Sequence, residues 1–302
     1  MDNFTDRLLS TSLHAKRPPM LKEERFLPAP IAEHGFSAMI EIQYDRDKIN
    51  RFLFDTGVSE NGIIFNADLF RIDLKNIDAI ILSHGHLDHF TGIVSALQRI
   101  AKPIDVIIHP DAFQRRWLLF PDGTKAMMPV LDEKVLEDNG ALIHKNEHSS
   151  FLPTEDPHIL ITGEIPRQTS FEKGFPFQYI EISDTKELIQ DPLIKDDQAI
   201  VADIKDKGLV VITGCGHAGI VNTLNYAKKL LNTNRIHAVL GGFHLTGSMY
   251  EEAIEPTIMG LQNVNPDYII PCHCTGWRAT NRIIQIMPEK FIQSSVGTSF
   301  SF

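Results

Sequence analysis

The chain has 302 residues, is 43% hydrophobic and 23% charged, and carries a formal net charge of −10. That length allows one large domain or two of ordinary size, with enough apolar material to bury a core. The acidic balance argues against a broad nucleic-acid surface or adhesion to anionic lipid, and three cysteines make no disulfide framework, so a reducing, cytoplasmic setting is expected.

The opening stretch Met1-Asp-Asn-Phe-Thr-Asp6 has neither the basic start nor the apolar run of a signal peptide. Residues 1–35 are weakly patterned and broken by Pro18-Pro19 and Pro28-Ala-Pro30. Order begins where Phe36, Ala38, Ile40, Ile42 and Tyr44 alternate with mostly polar neighbours, the period of a strand. Residues 50–55 form its expected partner, stopped at Thr56-Gly57, and residues 78–83 make a buried strand too short to cross a bilayer. Ile93, Val94, Leu97 and Ile100 have helical spacing within residues 90–101, and residues 104–109 return to strand. From Pro110 to residue 192 the pattern loosens, and we expect an inserted, lid-like region at about 110–180 within one domain spanning residues 1–302. Strands are expected again at 198–203, 208–213, 236–240 and 267–270, with a helix at 218–231. Strand, loop and helix recur in both halves, which points to two sheets with helices outside.

The strongest chemical feature is Ser83-His-Gly-His-Leu-Asp-His89, directly after the buried strand. His84 and His86 lie two apart, so in an extended loop both project to one side and can share an ion. Asp88 and His89 begin the next helix and would face a second ion nearby. Imidazole and carboxylate suit zinc, manganese or iron, with zinc favoured by three nitrogens in a tetrahedral site. A polar helix start that happens to be rich in histidine is the bland alternative.

His84-x-His86-x-Asp88-His89 after a hydrophobic strand resembles the signature of the metallo-β-lactamase-fold hydrolases. Leu53-Phe-Asp-Thr-Gly57 is similar to that superfamily's Asp-Thr-Gly turn, where the aspartate anchors the metal loop without being a ligand. Ile269-Ile-Pro-Cys-His273 resembles its last motif, which makes His273 a ligand of the second ion. The resemblance covers residues 36–302 and implies an α/β fold, a four-layer αβ/βα sandwich with helices outside two mixed sheets. It also implies two divalent ions, zinc first, and a metal-bound hydroxide that attacks a small ester or phosphoester. Gly208 to Gly219 departs from the pattern, because Cys215 and His217 stand where a histidine and a bridging aspartate come from separate loops. His217 is expected as the third ligand of the first ion. Cys215 is either a thiolate in place of the aspartate or a small buried thiol.

Gly163-Glu-Ile-Pro-Arg167, Asp196-Asp-Gln-Ala199, Gly214-Cys-Gly-His217, Gly241-Gly-Phe-His-Leu245 and Pro271-Cys-His-Cys-Thr-Gly276 together resemble one branch of the fold, the dihydropterin-aminobenzene-phosphate synthase-like proteins. In that branch a strand generally precedes the segment resembling Asp2-Asn-Phe4, so a late or truncated start is expected here. Asp88 is expected to orient the nucleophile as well as hold metal. His244 ends a strand and either meets substrate, stabilising an oxyanion, or is bonded in the frame. His109, also at a strand end, is a candidate for the pocket. Arg167 and Arg278 are the candidate cations for an anionic substrate, each with a solvated or paired arginine as the alternative. Cys272 and Cys274 alternate with His273 and are expected to face away from it as packing residues. His14, His34, His144, His148, His158 and His237 are taken as surface or frame histidines.

The function this implies is a metal-dependent hydrolase of a small anionic molecule. Alternatives are a synthase condensing a pterin with a ribofuranosylaminobenzene phosphate, and a non-catalytic metal-dependent binding protein. The expected partner is a small-molecule substrate, with no nucleic acid and no membrane; a homo-oligomer is left open.

Overall fold

Along Lys48–Phe54 the side chains of Phe52 and Phe54 enter one apolar cluster and Leu53 enters another, so this strand is buried on both faces. In the computed structural model, which describes residues 1–45, 48–152 and 159–302, it belongs to a five-stranded sheet. The strand order is Ala141–Lys145, Ile104–Ile108, Ala79–Ile81, Lys48–Phe54, Ala38–Asp45. Only the last pair is antiparallel. A second, six-stranded sheet runs Ser150–Phe151, Ile159–Ile161, Ala199–Ile204, Gly208–Thr213, Ile236–Gly241, Tyr268–Pro271. Its last two pairings are parallel.

Phe52, Phe54, Ile81 and Ile107 of the first sheet pack on Ile159, Ile161 and Ile200 of the second. Helices Glu60–Phe70 and Ile93–Ile100 cover the outer face of the first sheet through Ile63, Ala67, Ile93 and Leu97. Helices Ile220–Leu230, Glu251–Val264 and Trp277–Ile286 cover the second through Leu224, Leu261 and Ile283. The result is the expected αβ/βα four-layer sandwich. Burying both faces of both sheets is why the strands read as near-continuous Val, Ile and Leu.

The expected helix at 90–101 is broken into Leu87–Phe90 and Ile93–Ile100. The break falls at Gly92, where a β-carbon would lie 2.2 Å from the Thr56 carbonyl oxygen, so the chain passes too close for any side chain. The loosely patterned stretch at about 110–180 is spread over three sheets. Ala141–Lys145 joins the first sheet and Ile159–Ile161 the second, while Arg116–Leu119, Lys125–Met127 and Gln178–Glu181 form, with Leu188–Gln190, a separate antiparallel sheet. Strands of four residues or fewer are too short to show alternation. His158 lies outside the described residues. Among those described, no helix is long and apolar enough to cross a membrane.

Parallel strands place their following loops at one edge. Ser83, His109, Gly214, Gly242 and Cys272 all follow the ends of such strands, so the chemistry-bearing loops share one end of the sandwich.

Candidate metal centre

The Asp-Thr-Gly turn sets the first loop. Asp55 adopts a left-handed backbone, φ 58°, a conformation costly enough in a non-glycine residue to mark a functional constraint. Its fully buried carboxylate accepts from the Ser83 backbone N–H and hydroxyl, each at 2.7 Å, and from His89 Nδ1 at 2.7 Å. Because the Ser83 hydroxyl donates to Asp55, its oxygen is left to accept from His84 Nδ1 at 2.9 Å. Both histidines therefore carry their proton on Nδ1 and turn Nε2 inward, and His84 Nε2 is buried with no partner.

Around these nitrogens the other loops close. His217 Nε2 lies 3.1 Å from His86 Nδ1, and the His84 and His217 rings are 4.9 Å apart. Cys215 Sγ lies 3.1 Å from His89 Nε2 and 3.4 Å from His273 Nε2, which is 3.3 Å from Asp88 Oδ2. Two donor groups result, His84–Cys215–His217 with His86 alongside, and Asp88–His89–Cys215–His273. Cys215 is common to both. All seven sequence candidates for metal ligation are thus brought together.

Burial holds His84 and His217 well below the ordinary imidazole range, with neighbouring histidines adding to the effect. Burial, with Arg116 nearby, lowers His86 to about 4. Burial would raise the Asp88 carboxyl, but His89 and the bond from His273 outweigh it and keep the group ionised. Burial and Cys274 push the Cys215 thiol well up, so a thiolate forms here only against a cation. Four imidazoles kept neutral by burial, a fifth paired with Asp55, a carboxylate, a buried thiol and an orphaned inward nitrogen fit divalent cations.

Three consecutive residues brace this constellation. Asp196 Oδ2 accepts from Gly85 N–H, Asp197 Oδ2 from Ala218 N–H, and the Gln198 side chain donates to Leu82 O. Arg116, 1% exposed, supports Asp196 with a 2.6 Å ion pair inside the protein. Gly85 is required at the turn, since a β-carbon there would sit 2.3 Å from the Ala112 carbonyl oxygen and 2.5 Å from Arg116 Nη1. Arg116→Met should therefore cost about 3–5 kcal/mol, because it strands a buried carboxylate. Urea unfolding of the two proteins checks this, and a change below about 1 kcal/mol would remove Arg116 from the frame.

A cavity beside His217 is lined by His244, Tyr250, Lys173 and Gly174. The His244 ring is 4.0 Å from that of His217, its backbone is left-handed at φ 45°, and its Nδ1 is buried without a partner. Burial lowers it to about 3. Arg167 donates from Nη2 to Leu193 O, while its Nε and Nη1 have no partner. Arg278 is exposed and paired with Glu251, outside the donor groups. His109 caps the turn Pro110–Phe113 by accepting from Asp111 N–H, also outside them.

Cys274 departs from expectation. His273 has a left-handed backbone, φ 48°, and opens the turn His273–Thr275. Strict alternation is lost there, and Cys274 Sγ comes to lie with Cys215 and His244 in a third compact donor group. Lys173 and His34, whose exposed ring stands 5.0 Å from that of His273 and 3.7 Å from Asp88, carry no motif that marks them.

A family model described as Metallo-beta-lactamase superfamily matches residues 46–230. The chain is 30% identical over 275 residues, 90% of each protein, to a 7,8-dihydropterin-6-methyl-4-(beta-D-ribofuranosyl)-aminobenzene-5'-phosphate synthase of Methanocaldococcus jannaschii. It is 33% identical over 271 residues, 88% of this chain and 92% of the other, to an uncharacterized protein of that organism. A solved metal-dependent hydrolase of the beta-lactamase superfamily superposes with a TM-score of 0.74 at 23% identity, covering 99% of this chain and 96% of that one.

Proposed function

The chain belongs to the metallo-β-lactamase superfamily, and on that footing we propose that it is a metal-dependent hydrolase of a small anionic ester or phosphoester. The observation that supports this reading is the meeting of five histidines, Asp88 and Cys215 in two donor groups with a shared sulfur. His84, His86 and His217 would hold one divalent ion, and Asp88, His89 and His273 a second, with Cys215 between them. Zinc suits the nitrogen-rich first group best, and manganese or iron would also be accepted.

Divalent ions bound there supply Lewis acidity and bring the pKa of water toward neutrality. The chain's residues do the remaining work. Asp88, kept ionised by His89 and His273, is 14% exposed while His84 is fully buried, so it is the ligand placed to orient an attacking water. His244, neutral and with a free Nδ1, is assigned to hydrogen-bond the substrate oxygen on which charge develops. Lys173 and Arg167 supply positive charge to an anionic substrate. Lys173→Ala should raise KM roughly tenfold with kcat nearly unchanged, as loss of uniform binding does. An unchanged KM would take Lys173 out of the binding site.

A second reading is favoured by the 30% identity to the synthase, and there the same ions would hold the reactants of a condensation. Assaying one metal-loaded preparation against phosphoesters, lactones and the pterin condensation separates the two. Hydrolysis supports the first reading, and condensation without hydrolysis replaces it with the second.

A further inference from the structure

Each donor group contains one histidine whose outer nitrogen is held by a carboxamide brought from outside the two main sheets. Gln178, fully buried on the small antiparallel sheet, places Oε1 2.5 Å from His86 Nε2, while its Nε2 donates to Asp191 Oδ2 at 2.9 Å. A carboxylate only accepts, so the amide is oriented, and Oε1 takes the proton of His86 Nε2–H. The lone pair of His86 is then on Nδ1, facing His217. Asn3 does the same for the other group. Its Nδ2 donates to the His273 carbonyl at 3.1 Å, so Oδ1, 3.0 Å from His273 Nδ1, accepts that ring's proton. The lone pair of His273 falls on Nε2, facing Cys215 and Asp88. Asp2 adds a bond from the His273 backbone N–H to its Oδ1, 3.0 Å, which steadies the strained φ of that residue.

We propose that Gln178 and Asn3 are positioning residues, each fixing the tautomer and ring orientation of one outer histidine, so that the small sheet sets the strength of the first metal position and the N-terminal segment that of the second. A neutral amide holds an imidazole in place without the electron donation of a carboxylate such as the one behind His89. The two positions are thereby adjustable one at a time. This rests on the reading that the donor groups hold divalent ions.

The test is zinc affinity by chelator competition, with no turnover measured. Wild-type protein should release two ions in two resolvable steps, and protein that binds no zinc would instead overturn the underlying reading. Gln178→Ala should weaken one ion roughly 10–100-fold and leave the other unchanged, and Asn3→Ala should weaken the other in the same way. In a His86→Ala background, Gln178→Ala should have no further effect, as should Asn3→Ala in a His273→Ala background. A thermal melt of each variant reports folding separately. Equal weakening of both ions by either alanine variant would overturn the proposal. An undiminished effect after the histidine is gone would do the same.

Discussion

Cys215→Ser should bind one tightly held ion per chain in place of two and lose turnover by about 10²–10⁴-fold, since the Lewis-acid stabilisation contributed by an ion is several kcal/mol. The sulfur stands 3.1 Å from His89 Nε2 and 3.4 Å from His273 Nε2, and it also belongs to the group of His84 and His217. A serine hydroxyl is shorter and far less readily ionised, and it supplies no soft donor to either position. Metal content by elemental analysis and initial rates on the same preparation check this. Two ions and full turnover in the variant would mean that Cys215 is only a buried thiol.

His84→Ala, or extraction of metal by a chelator, should abolish activity by about 10³-fold or more. His84 Nε2 is the orphaned inward nitrogen, oriented through Ser83 by Asp55. Its removal leaves the first position with two nitrogens and a sulfur that the second position also claims. Zinc added back should restore the chelated wild type and leave the variant inactive. Chelated, metal-free protein that retains full rate would exclude the mechanism.

The ligand loops are legible in the sequence because their donors are local. His84, His86, Asp88 and His89 fall within six consecutive positions behind a buried strand, and Cys215 and His217 follow another. Period-two alternation and short apolar runs likewise disclose the strands of both sheets outside the stretch at about 110–180. The residues that steady the site are not legible, for a physical reason. Gln178 is 92 positions from His86, Asn3 is 270 from His273, and each is a single amide with no periodic context. Asp196, Asp197 and Gln198 are visible as a string, but only the fold shows them reaching Gly85, Ala218 and Leu82. Alternation misplaces Cys274 because the strand Tyr268–Pro271 has already ended, and the chain enters a turn through a left-handed residue, His273.

In the function proposed above, two divalent ions would lie side by side and share the sulfur of Cys215. Crystals of the zinc-loaded protein, measured on both sides of the zinc absorption edge, test it directly. Two anomalous peaks are expected, one among His84, His86 and His217 and one among Asp88, His89 and His273, each about 2.3 Å from Cys215 Sγ. A single peak, or two peaks with the sulfur beyond bonding distance of either, would contradict it.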